Sequence, residues 1–141
     1  MPNWVLARVP YVTFAGVTMA LGLAVHWYGD ALPPVVRDVL GDALWAAMVA
    51  WWVAAARPAM GLLSRAAVAL AVCFAVEFSQ RYHAPALDAI RGTTAGHLVL
   101  GSDFDPRDLA AYAAGVLTMV ILEWAATVIR AEMVVHGASH S

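Results

Sequence analysis

Four apolar segments, each long enough to cross a bilayer, constrain the fold of this chain more than any motif does. They run at about 10–28, 39–56, 60–80 and 108–130, and a spanning helix needs about 20 residues, with a range of roughly 17 to 25. Hydrocarbon offers the backbone no hydrogen-bond partners, so segments of this kind satisfy their own N–H and C=O groups as helices. Composition agrees. Hydrophobic residues make up 62% of the chain and charged ones 13%, the mean hydropathy is +0.72, and a soluble domain carries roughly 25% charged residues. The sequence predicts a single all-α membrane domain over 1–141, a four-transmembrane-helix bundle.

Breaks between the runs are explicit. Pro33-Pro34 separates the first two, because consecutive prolines remove donors and stop a helix. Arg57-Pro58 ends the second, which is short and is expected to stand close to the membrane normal. The first run follows Arg8 and leaves through His26-Trp27-Tyr28-Gly29-Asp30. No small-x-small cleavage pattern follows it, so it reads as a retained span and not a signal peptide. Trp27, Tyr28, Trp51 and Trp52 are expected as interfacial anchors, with His26 also at the interface. Gly16 with Ala20, and Ala111 with Gly115, supply the small-residue spacing through which spanning helices pack closely. Cys73 is the single cysteine, in the middle of an apolar run, which excludes an internal disulfide and multi-cysteine metal sites. The net charge is −2 and no cluster of basic residues appears, so neither nucleic acid nor an anionic-lipid patch is indicated.

Residues 81–107 form the longest connection, and it is too rich in polar and apolar groups for a passive linker. Leu87-Asp88-Ala89-Ile90-Arg91 and His97-Leu98-Val99-Leu100 read as short interfacial helical pieces between the third and fourth spans, with Asp88 and Arg91 turned toward a site. Connections of this length inside a compact domain are usually functional. An even number of spans puts both termini on one side. Arg8, Arg57, Arg65 and Arg130 lie on that side, and Arg37, Arg81, Arg91 and Arg107 on the other. Three of the latter sit in the polar connection, where they serve a site and not topology, which favours cytoplasmic termini.

This threading brings the start of the second span, the end of the third and the start of the fourth to one face, and with them Asp42, Glu77 and Asp108. Glu77, Gln80 and Arg81 share a helix face by their spacing. An internal Glu77–Arg81 ion pair is the plain alternative to a site, as a helix-dipole role is for Asp42. Asp105-Pro106-Arg107-Asp108 is a helix start, with Asp105 as cap. Tyr112, four residues after Asp108, extends the cluster inward. His83 is the residue of the connection suited to proton exchange near neutral pH, and Glu77, Asp88 and Asp42 are expected near it. His83, His97, Asp88 and Glu77 could be assembled as metal ligands, but no metal-ligand spacing is present, so neither a metal nor another cofactor is predicted. No nucleophile elbow, phosphate loop or dinucleotide fingerprint occurs. Asp103 is expected to be solvated, Glu123 to reach water at the inner boundary, and the residues after Arg130, with His136 and His140, to fray.

The stretch Glu77-Phe78-Ser79-Gln80, then Tyr82-His83-Ala84-Pro85, Asp88, Arg91, Thr93-Thr94, Gly96, Gly101, Phe104 and Asp108-Leu109-Ala110-Ala111-Tyr112, preceded by Gly41-Asp42-Ala43-Leu44-Trp45-Ala46, resembles a family of small bacterial membrane proteins known only as a domain of unknown function. It is also distantly similar to the VanZ-like membrane proteins, in an acid-plus-Gln helix end, a following Asp and a later polar helix start. VanZ is linked to resistance to lipoglycopeptide antibiotics. The resemblance implies a role at the cell envelope, in the inner (plasma) membrane of a bacterium, and no particular reaction. The first span carries no part of it.

The expected function is binding of an envelope lipid or lipid-linked head group. Candidate ligand-binding residues are Asp42, Glu77, Gln80, Arg81, His83, Asp88, Arg91, Thr93, Thr94, Asp108 and Tyr112. Arg81 and Arg91 are suited to phosphate or carboxylate, and Asp42, Glu77, Gln80 and Thr93 to sugar or peptide groups. Three alternatives remain: an intramembrane hydrolase or transferase with Glu77 or His83 as base, a small proton-coupled transporter or channel subunit, and an accessory subunit of a larger membrane complex. Membrane lipids are the expected partners, with a homo-oligomer or a larger complex as further possibilities.

Overall fold

The computed structural model describes residues 3–101 and 103–138; the predicted fraying of Ser139, His140 and Ser141 falls outside them. A short helix α1 (Asn3–Leu6) leads into α2 (Val9–Tyr28), which closes with a 3-10 turn at Gly29–Ala31. Then follow α3 (Pro34–Ala56), α4 (Leu62–Ser79), two short helices α5 (Pro85–Arg91) and α6 (Thr94–Leu100), and the long α7 (Pro106–Ala138). Helices α2, α3, α4 and α7 are each long and apolar enough to span a membrane. The chain is an all-α membrane protein, a four-helix bundle with a helical connection between its third and fourth long helices.

Two helices differ in extent from expectation. α3 begins at Pro34, not near residue 39, because a proline costs nothing at a first helical position where its missing N–H has no partner anyway. With 23 residues it is not a short span. α7 does not fray after Arg130; it continues to Ala138, and its 33 residues extend about 50 Å at 1.5 Å per residue, well beyond the hydrocarbon layer. Nothing in Ala131–His136 breaks it, since the segment holds neither proline nor glycine.

α3 is the hub, in contact with α2, α4 and α7, while α4 and α7 also touch each other. Small side chains make this possible. Ala46, Ala50, Ala66 and Ala69 are buried at helix contacts around Cys73, Val116 and Met119, and close approach replaces the hydrophobic drive that lipid does not supply. Gly115 shows the extreme case: a Cβ there would collide with the Ala43 carbonyl of α3. The other predicted small-residue pair, Gly16 with Ala20, does not work this way. A Cβ on Gly16 would meet nothing within 4 Å, Ala20 is exposed, and it is Ala15 that packs inward. Trp51 is likewise a core residue and not an anchor, stacked between α2 and α3 on Phe14 and Tyr11. Trp27, Tyr28 and Trp52 are exposed.

A charged knot ties the end of the bundle far from the polar connection. Arg65 of α4 donates to Glu123 Oε1 of α7 and lies over the Tyr11 ring, and the Tyr11 hydroxyl of α2 donates to the same oxygen at 3.0 Å. Glu123 therefore turns into the bundle, not toward water. An unpaired arginine between apolar helices is far costlier than this pairing.

Candidate functional site

At the polar end, α4 stops at Ser79, and its last turn carries Glu77, whose side chain is fully buried. Glu77 Oε1 accepts the backbone N–H of Asp105 at 2.8 Å, and Oε2 accepts the Tyr112 hydroxyl at 2.8 Å and Gln80 Nε2 at 3.3 Å. One carboxyl group thus joins the end of α4 to the start of α7. Asp105 caps α7 as its sequence predicts, accepting the Arg107 N–H at 2.8 Å. Gly101 lets the intervening chain close over Gln80: its φ is +63°, and a Cβ there would run into the Gln80 amide.

In front of this knot lies a half-open cleft of about 700 Å³ between α2, α3, α6 and the start of α7. One end is acidic, with Asp38, Asp42, Asp103, Asp105 and Asp108; the other is apolar, with Met19, Leu23, Leu44, Met48 and Val76. Asp42 and Asp108 come within hydrogen-bonding reach of each other, and Asp38 adds its charge to both. Asp42 lies two turns inside α3, beyond the reach of the helix dipole at its first turn. Its role there is to face Asp108. Gln80 and Tyr112 also line the cleft, and Glu77 sits behind them.

The remaining predicted residues are elsewhere. Arg81 does not pair with Glu77: the helix ends two residues before it, so the four-residue spacing no longer stacks the two side chains, and its guanidinium lies over the Phe104 ring at 5.0 Å. Arg91 is buried and donates to the Ser79 and Tyr82 carbonyls at 2.8 and 2.9 Å and to Ser79 Oγ at 3.2 Å. It clamps the end of α4 and points no donor at a ligand in the cleft. Thr93 caps α6, accepting from the Gly96 N–H at 3.0 Å and donating to the Ile90 carbonyl. Asp88, Arg91, Thr93 and Thr94 line a second, shallow depression. His83 is exposed, meets Asp88 at 3.4 Å and lines neither depression. Asp103 is at the cleft mouth.

Several cleft residues escaped the sequence reading. Asp38 precedes Asp42 by four and Trp45 by seven, a helical spacing that puts all three on one face. Thr18, Gly22 and His26 recur every four residues along α2 and form the opposite wall. Arg37, at the mouth, donates to Asp30 at 2.7 Å and to the His26 carbonyl, fastening α3 to the end of α2.

Residues 31–116 match the family DUF2809, described as proteins of unknown function. The chain belongs to this family. The matched segment takes in α3 to α6 and the first turns of α7, and with them Asp42, Glu77, Gln80, Asp108 and Tyr112. α2, which supplies one wall of the cleft, lies outside it. No solved structure matches the chain.

Proposed function

We propose that this protein binds the head group and upper acyl portion of an envelope lipid or lipid-linked molecule in the cleft between α2, α3, α6 and α7. The observation that carries this reading is the two-sided lining of one cavity, acids at the membrane-surface end and methionine, leucine and valine along the spanning helices. An amphiphile satisfies both ends, and a free solute only one. About 700 Å³ is within the range of roughly 300–1,000 Å³ of small-molecule sites. Trp45, with a buried indole N–H that has no hydrogen-bond partner among the described residues, offers a donor to a ligand oxygen. The VanZ-like resemblance at the end of α4 points to the same setting, the plasma membrane of a bacterium. Arg81 and Arg91 are engaged with Phe104 and the end of α4 and so carry little topological weight, which favours termini in the cytoplasm and the cleft at the outer face.

Native mass spectrometry of the purified protein tests the reading. Gly22 faces the cleft, and its Cβ position is 3.9 Å from Leu44 Cβ, an ordinary contact. Gly22→Phe therefore starts from a position where a Cβ is tolerated and places a ring at the apolar end of the cleft. A lipid adduct is expected on the wild type and a lower one on this variant. Absence of any adduct on the wild type, or an adduct unchanged by Gly22→Phe, sinks the proposal.

A further inference from the structure

Three oxygen-bearing groups at the acidic end of the cleft share one deficit. Asp42 and Asp108 stand within hydrogen-bonding reach of each other, and no arginine forms an ion pair with either among the described residues. Arg37, Arg65 and Arg91 are engaged with Asp30, Glu123 and the end of α4. Gln80 is 4% exposed and lines the same cleft. Its Oε1 is buried with no hydrogen-bond partner among the described residues. The amide is oriented by Glu77, which accepts from Nε2; turning it over would set oxygen against carboxylate oxygen. A buried acceptor left unmet is costly, and adjacent carboxylates without a cation repel.

We infer that the acidic end of the cleft receives a primary ammonium group, held by the carboxyl groups of Asp42 and Asp108 and by Gln80 Oε1. The inference rests on the cleft being a ligand site, as proposed above. A −NH3+ group brings one positive charge and three donors to two acids and one amide oxygen. A proton shared by the carboxyls leaves Gln80 unmet. A hydroxyl group supplies a single donor and no charge. A hard metal ion asks for about six oxygens, and among the described residues no three His, Cys, Asp or Glu side chains converge on a metal position. Both a lipid head group and a free amine carry such an ammonium, and the test separates these sources.

Isothermal titration calorimetry of the full-length protein in detergent compares short-chain phospholipids with identical acyl chains and ethanolamine, choline or glycerol head groups, together with free ethanolamine. The ethanolamine lipid is expected to bind about tenfold or more tightly than the other two, with the preference removed by Asp42→Asn and by Asp108→Asn. Equal binding of the three lipids overturns the ammonium inference and leaves the lipid cleft standing, as does a preference for glycerol or choline. Binding of free ethanolamine as tightly as the ethanolamine lipid keeps the ammonium site and overturns the lipid reading. No binding of any probe overturns both. The wild-type comparison decides even where a variant fails to fold.

Discussion

The Tyr112 hydroxyl donates to Glu77 Oε2 at 2.8 Å between two side chains that are both buried. This bond joins α7 to the end of α4 at the level where the cleft opens, so Glu77 acts by holding the polar end together. Tyr112→Phe removes one donor and leaves that oxygen to Gln80. The expected loss of stability is about 1–3 kcal/mol, read as a lower thermal midpoint in detergent. Glu77→Leu strands the Asp105 N–H as well as the Tyr112 hydroxyl, and is expected to cost more. Equal midpoints for wild type and Tyr112→Phe would contradict this role.

Gly115 and Gly16 form a matched pair for testing close helix packing. A side chain at Gly115 strikes the Ala43 carbonyl, and one at Gly16 meets nothing. Gly115→Ala is expected to destabilise by about 1–3 kcal/mol through overpacking, and Gly16→Ala to be neutral or stabilising by up to about 1 kcal/mol through helix propensity. Thermal unfolding of the two variants side by side checks the contrast, and comparable effects would argue against the α3–α7 contact.

At the other end of the bundle, Arg65 and Glu123 are buried together. Arg65→Met leaves Glu123 with Tyr11 alone, and is expected to cost about 3–5 kcal/mol, whereas Arg65→Met combined with Glu123→Leu recovers most of that loss. A double-mutant cycle measures the coupling directly. Simple additivity of the two single losses is the result that excludes the pair.

Cys73 is the only cysteine and is fully buried, which makes the proposed orientation easy to probe. In a Cys73→Ser background, Thr94→Cys is expected to react with a membrane-impermeant thiol reagent in intact cells, and Ala59→Cys only after permeabilisation. Both positions are exposed, on opposite ends of the bundle. The reverse pattern places the cleft in the cytoplasm.

A membrane bundle of four long helices was legible from the apolar runs alone, because hydrocarbon forces any run of spanning length to close its own hydrogen bonds. The placing of Asp42, Glu77 and Asp108 at one end was legible too, since alternate threading leaves no other choice. The Asp105-Pro106 helix start was legible for the same local reason, a cap and a proline acting within one turn. Contacts beyond one turn were not. Spacing alone sets Arg81 over Glu77, yet α4 ends at Ser79 and frees the arginine to cover Phe104. Arg91 looked like a ligand for anions and instead holds the Ser79 carbonyl at the end of α4 and the Tyr82 carbonyl just beyond it. Packing of the helices settled that Glu77 is sealed behind the cleft, that Asp38, Asp42, Asp103, Asp105 and Asp108 line it, and that α2 supplies the opposite wall. A polar group beside lipid takes whichever partner the packing of other helices delivers, and that delivery depends on helix ends and close contacts which no local pattern encodes.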